Sequence, residues 1–147
     1  MAMCRRTRLI QYALAWLVPM ICCLIVRVWV LPEAADPGWL LADGRAFGIL
    51  ILFYPVIEEL SFRGVIQGVL LKGTHRREML PGITVANGIT SLLFTAIHFV
   101  HHPPVWAAAV VVPSLIFGYF RDRFESVVPA VILHIFYNLI FYATVGK

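Results

Sequence analysis

Charge is scarce in this chain: 14% of its 147 residues are Asp, Glu, Lys or Arg, against about 25% in a soluble domain. With 61% hydrophobic residues and a mean hydropathy of +0.85, the composition excludes a soluble globule and implies an integral membrane protein. Five or six spans of ~20 residues would use nearly all of the length, so no soluble domain is expected. Cysteine is also scarce. Cys22 and Cys23 are adjacent in an apolar run and Cys4 sits in the basic N-terminus, so there is neither a disulfide framework nor a CxxC metal spacing. They read as inert packing residues. The chain lacks an HExxH sequence, an internal repeat, a low-complexity tract and a heptad seam. The net charge of +4 does not indicate nucleic acid, because the basic residues fall in short clusters between apolar runs, as cytoplasmic membrane loops do.

What is present is a series of apolar segments. Arg5, Arg6 and Arg8 precede a run from Leu9 to Leu31 that reads as a first membrane helix. It is longer than the ~7 to 15 apolar residues of a signal peptide, and cleavage after Ala35 would put Glu33 where a small residue is wanted. Pro19 is expected to kink it, and Arg27, near its far end, is expected to snorkel to the outer interface. Leu31 to Arg45 is turn-rich and acidic and reads as an external loop. A second helix, about Ala46 to Leu71, ends in the basic segment Lys72-Gly73-Thr74-His75-Arg76-Arg77, in which His75 reads as a solvated residue. A third runs from about Ile83 to Val100 and stops before Pro103-Pro104. The fourth, about Val105 to Phe120, contains Pro113 and a Ser114-xxx-Gly118 spacing suited to close packing. After Arg121-Asp122-Arg123 the fifth extends from Ser126 to about Val145. With the N-terminus inside, eight of the twelve Lys and Arg residues fall in inner segments (Arg5, Arg6, Arg8, Lys72, Arg76, Arg77, Arg121, Arg123) and only Arg45 and Lys147 in outer ones. The expectation is an all-α, polytopic membrane helical bundle of about five transmembrane helices with a cytoplasmic N-terminus. It forms a single membrane-embedded domain over residues 1–147, with its chemistry-bearing core at about 46–142.

The second helix carries Glu58, Glu59 and Arg63 within six residues. An ionisable group at membrane depth costs at least ~2.5 kcal/mol, and such residues are functional by default. With Glu58 at the origin of a helical wheel, Glu59 falls at about 100° and Arg63 at about 140°, while Ser61, Gly64 and Gly68 lie between about 240° and 300°. The Gly64-xxx-Gly68 side suits close packing against a neighbour. Glu59 and Arg63 stand at i, i+4 in the favourable order for an ion pair, which leaves Glu58 outside that pair. A carboxylate in a poorly hydrated interior is a competent proton acceptor near neutral pH, so Glu58 is a candidate general base. The bland alternative is that both acids bind helices together with Arg63 bridging them.

On the third helix Asn87, Ser91, Phe94 and Thr95 share a face with His98. This mainly polar stripe could border a hydrated cavity, or its hydroxyls could satisfy backbone carbonyls. His98, at its outer end, is a candidate catalytic residue rather than only an interhelical hydrogen bonder. His101 and His102 read as solvated. On the fifth helix His134 and Asn138 stand at i, i+4 and both can donate to an oxyanion; alone, they could equally glue helices together.

Taken together, Glu58-Glu59-Leu60-Ser61-Phe62-Arg63, Phe94-Thr95-Ala96-Ile97-His98 and His134-Ile135-Phe136-Tyr137-Asn138 resemble the E-E-x-x-x-R, F-x-x-x-H and H-x-x-x-N motifs of the CAAX-protease and bacteriocin-processing family of intramembrane glutamic proteases. The resemblance spans about Ala46 to Tyr142. It implies that Glu58 and His98 activate water, that His134 and Asn138 hold the oxyanion, and that Glu59, Arg63 and Phe94 support them, with no cofactor. Better-known members have more helices. Family substrates include prenylated C-terminal tails, leader peptides and C-terminal sorting tails, so the implied partner is a membrane-associated protein or peptide, and the implied location is the cell (inner) membrane as a multi-pass protein. At 1.5 Å per residue Glu58 lies roughly 20 Å, His98 roughly 23 Å and His134 roughly 12 Å from the inner ends of their helices. That depth favours a membrane-embedded or external tail.

Two other readings use the same residues. Glu58, His98 and His134 could be three ligands of a catalytic zinc with water in the fourth position. A binding or immunity protein without activity could use the polar cluster to hold a peptide or lipid tail. A transporter is disfavoured because the five segments offer no inverted repeat or paired broken helices. The oligomeric state is open at this stage.

Overall fold

A computed structural model describes residues 5–29, 38 and 42–144. Cys4, Lys147 and most of the expected external loop lie outside the described residues. The chain is mostly helical, in the order α1 (Arg5–Ala15), α2 (Leu17–Trp29), α3 (Gly44–Phe47), a π-helical stretch Gly48–Phe53, α4 (Tyr54–Glu59), a second π-helical stretch Leu60–Ile66, and α5 (Gln67–Gly73). A short hairpin follows, β1 (Glu78–Leu80) and β2 (Ile83–Thr84), and then α6 (Val85–His98), α7 (Pro104–Ala109), α8 (Val111–Phe124) and α9 (Val128–Thr144). Two stretches, Arg6–Trp29 and Pro104–Phe124, are long and apolar enough to cross a membrane, and Val85–His98 and Val128–Thr144 are shorter apolar helices. Large apolar side chains point outward along the helices, Val65, Val69, Leu92 and Val105 among them, as lipid-facing surfaces do.

The chain divides into two compact units, one of Met1–Val56 with Ile132–Lys147 and one of Ile57–Val131. In the first, the break between α1 and α2 falls at Trp16, three residues before Pro19. Pro19 has no N–H for the carbonyl of Ala15, and the Tyr137 hydroxyl donates to that carbonyl at 2.9 Å instead. Trp16 packs on Phe136 with ring centroids 4.5 Å apart. Cys23 is buried and Cys22 faces outward; both are free thiols. Arg27 donates from Nη1 to the carbonyl of Thr144 at 3.3 Å, a favourable place for a cation at the C-terminus of α9.

In the second unit, α6 and α8 form the most extensive helix contact. Gly118 makes it possible: a Cβ there would run into the carboxamide of Asn87 and would stand 3.0 Å from Oε1 of Gln67. The hairpin departs from the all-helical expectation and displaces the start of the third helix from Ile83 to Val85. Its turn is Pro81-Gly82, with Gly82 at φ +80°, the left-handed value that a type II turn requires after proline. Asp122 was expected in a loop, but α8 continues through Phe124 and the side chain is buried. Its Oδ1 accepts from Nε2 of Gln67 at 2.9 Å, its Oδ2 from Thr84 Oγ1 at 2.7 Å, and its carbonyl from Nη2 of Arg76 at 3.0 Å. One residue thereby fastens three elements to the end of α8: its carboxylate holds the motif-bearing helix and the hairpin, and its backbone carbonyl holds the loop between them.

Candidate active site

The second unit contains the Glu-Glu-x-x-x-Arg and Phe-x-x-x-His residues. Glu59 and Arg63 are both fully buried, and Nε of Arg63 donates to Oε2 of Glu59 at 3.2 Å. The i, i+4 spacing produces this pair although the backbone becomes π-helical between them. Nη2 of Arg63 donates to the Ser114 hydroxyl at 2.6 Å, so the small residue expected to permit close packing also anchors the ion pair. The remaining nitrogen, Nη1, is buried with no hydrogen-bond partner among the described residues. A buried pair of this kind withstands desolvation only because further hydrogen bonds accompany the Coulombic attraction.

Phe94 lies between the ion pair and the histidine. The Arg63 guanidinium carbon is 5.4 Å from the centroid of the Phe94 ring, a cation–π distance, while the His98 ring is 4.6 Å from the same centroid. Phe62 meets Phe94 edge-on at 5.0 Å. Nδ1 of His98 is 2.8 Å from the Phe94 carbonyl. A carbonyl oxygen can only accept, so Nδ1 carries the proton and a neutral imidazole then has its lone pair on Nε2. His102, an exposed residue expected to be solvated, stacks on His98 at 5.6 Å with planes 17° apart. Glu58 is half-buried and is not the acid bonded to Arg63.

The polar stripe that leads to His98 is occupied with packing at its N-terminal end. Asn87 donates to the carbonyl of Leu115 at 3.0 Å and accepts from Ser91 at 3.1 Å, and both residues are fully buried. Gln67 was missed in the sequence. It stands one turn beyond Arg63, fully buried, and donates to the Gly118 carbonyl at 3.0 Å as well as to Asp122. A lone amide in an apolar helix was the available signal.

His134 and Asn138 belong to the first unit. His134 is buried. Nδ2 of Asn138 donates to the carbonyl of Leu50 at 3.0 Å, and the local backbone accounts for that bond. In the π-helical stretch the N–H of Tyr54 bonds to Ile49, so the partner for Leu50 would be residue 55, a proline without an N–H. Asn138 supplies the missing donor with one of its two amide hydrogens. Among the described residues no three His, Cys, Asp or Glu side chains form a group suited to a metal ion.

A mostly helical, apolar chain with this ordered set of Glu, Arg, Phe and His side chains falls in the class of membrane-integral peptidases. Residues 9–140, which include all three motifs, match the family model of the type II CAAX prenyl endopeptidases, Rce1-like; the chain belongs to this family, within the CAAX-protease and bacteriocin-processing group. Neither a curated protein nor a solved structure matches it. Membership makes it a peptidase of the membrane, with a membrane-associated protein as the class of substrate.

Proposed function

We propose that the chain is a multi-pass intramembrane endopeptidase of the cell membrane that cleaves a C-terminal tail or leader with water activated by Glu58 and His98. Its five spans would be the helices beginning at α1, α3, α6, α7 and α9, with the N-terminus cytoplasmic and one protease domain over residues 1–147. The observation that carries the reading is the division of labour between the two acids: Glu59 is fully buried and committed to Arg63, whereas Glu58 is half-buried and lies outside that pair. The fixed tautomer of His98 supports it, since an imidazole whose Nδ1–H is bonded to Phe94 offers Nε2 as an acceptor.

In the proposed step, Glu58 takes a proton from water while His98 orients it. The water oxygen bonds to the scissile carbonyl carbon and the π electrons move onto the carbonyl oxygen, where His134 and the second amide hydrogen of Asn138 stabilise the charge. Collapse of the tetrahedral intermediate breaks the C–N bond, and the proton held by Glu58 passes to the departing amine. Glu59, Arg63 and Phe94 position the two catalytic side chains. No metal enters the step.

The decisive experiment compares native protein termini in cells carrying the wild type, Glu58→Gln or no copy. The variant should fold yet leave the substrate uncleaved, because the amide keeps the shape but takes no proton; turnover equal to wild type in Glu58→Gln would sink the mechanism. Activity of a metal-stripped preparation should equal that of the untreated protein, and loss restored by zinc would replace the proposed step with a metal-dependent one.

A further inference from the structure

At the basic end of the motif-bearing helix, away from the catalytic candidates, a cavity of about 450 Å³ is lined by Gly68, Leu71, Lys72, His75, Arg76 and Arg121. Three of these six carry a permanent positive charge, and none is acidic. A neighbouring hollow of about 120 Å³ shares Arg76 but is lined also by Glu78 and Asp122, whose carboxylates disfavour an anion. With Arg123 also in its wall, the smaller hollow is balanced in charge, whereas the larger one is lined by cations alone among its charged residues.

The larger one is organised before any ligand arrives. Arg121 donates from Nε to the Arg63 carbonyl at 3.0 Å and from Nη1 to Asp122 at 3.3 Å, which fixes the guanidinium plane. Its Nη2 makes no hydrogen bond among the described residues and passes close to Gly68, 3.3 Å from where a Cβ would stand. Arg76 is fixed by its bond to the Asp122 carbonyl, and its contact with Glu125 at 3.4 Å is exposed and exchangeable. His75 and Arg76 both have left-handed backbones, φ +48° and +56°, uncommon for two successive non-glycine residues. Gly68 and Leu71 give the cavity an apolar side next to its cationic rim. Fixed guanidinium groups beside a mobile ammonium suit phosphate oxygens, and basic pockets at the ends of membrane helices receive anionic headgroups.

We propose that this cavity binds the phosphate of an anionic membrane lipid, with Arg121 and Arg76 as fixed donors, Lys72 as the closing charge and Leu71 against the glycerol end of the headgroup. The same phosphate chemistry would be met by free phosphate, which lacks a group to use the apolar side.

The test uses the purified full-length protein in neutral detergent and follows its thermal midpoint while short-chain phosphatidylglycerol, short-chain phosphatidylcholine or inorganic phosphate is added. Phosphatidylglycerol should raise the midpoint saturably, and phosphatidylcholine should not. Lys72→Gln should weaken the apparent affinity about fivefold and Lys72→Gln with Arg76→Gln still more, the expected order for one and two basic side chains at a membrane surface. Lys72 is exposed and outside the hydrogen-bond network, so the lipid-free midpoint of Lys72→Gln should equal that of wild type. A shift reproduced by inorganic phosphate, and equally weakened by Lys72→Gln, would support the anion site but assign it to free phosphate. The proposal is overturned if phosphatidylglycerol acts equally on wild type and both variants, if phosphatidylcholine matches it, or if neither anion shifts the midpoint.

Discussion

The two units hold themselves together by different means. Ile57–Val131 depends on charges and amides that tie the motif-bearing helix, the hairpin, α6 and α8 together: Glu59 with Arg63 and Ser114, Asp122 with Gln67, Thr84 and Arg76, and Asn87 with Ser91 and Leu115. In the other unit Arg27 caps the end of α9 at Thr144, and two further polar bonds are local repairs. Pro19 and Pro55 each deprive a carbonyl of its helical donor, and the adjacent residues Tyr137 and Asn138 of α9 satisfy Ala15 and Leu50 in turn. A charge network in a poorly hydrated interior is strong when complete and severe when broken, whereas a neutral donor to a stray carbonyl contributes about 1 kcal/mol. The contrast teaches where substitutions should unfold the protein and where they should merely loosen it.

The largest effect should follow from breaking the ion pair. Glu59→Gln leaves the Arg63 guanidinium buried without its counter-charge and should cost about 3 to 5 kcal/mol, read as a lowered thermal or denaturant midpoint in detergent. Activity should fall with it. Glu58→Gln, by contrast, should leave the midpoint near wild type while removing cleavage. A Glu59→Gln protein as stable as wild type but inactive would mean that the two acids exchange roles.

Next in size is the helix contact at Gly118. Gly118→Ala forces the new methyl into the Asn87 carboxamide, which is itself bonded to Leu115 and Ser91, so about 1 to 3 kcal/mol should be lost. Gly64→Ala is the control. Its Cβ would sit 3.6 Å from Val127, an ordinary contact, and replacing glycine within a helix should gain up to about 1 kcal/mol. Equal midpoints for the two variants would remove the argument that Gly118 sets the α6–α8 distance.

Part of this was legible in the sequence because it is local. The Glu59–Arg63 pair follows from i, i+4 spacing, and Ser114 with Gly118 follows from small residues one turn apart; both features were found, although their partners Arg63 and Asn87 were not assigned. The hairpin was not legible, since strands of three and two residues are too short for a period to register and Pro81-Gly82 announces a turn without saying what flanks it. Asp122 was assigned to a loop because a charged cluster after an apolar run normally marks the end of a span. The π-helical stretches escaped for a different reason: a wheel drawn at 3.6 residues per turn presumes the register that Pro55 disturbs. For Asn138 the spacing leaves oxyanion donation and helix gluing open, and its bond to Leu50 is a structural use of the second kind, made to a backbone carbonyl that Pro55 leaves without a donor.

The smallest effect separates the repair of a proline break from general packing. Tyr137→Phe keeps the ring and removes only the hydroxyl that donates to Ala15, so it should cost about 1 kcal/mol. If the hydroxyl matters because Pro19 lacks an N–H, then Pro19→Ala, which can restore a backbone donor to Ala15, should make the loss of the hydroxyl nearly neutral. The four midpoints of a cycle over Pro19→Ala and Tyr137→Phe measure this coupling. Additive effects would mean that the hydroxyl contributes independently of the N–H missing at Pro19, and the account of the first unit as one organised around its prolines would then rest on Asn138 and Pro55 only.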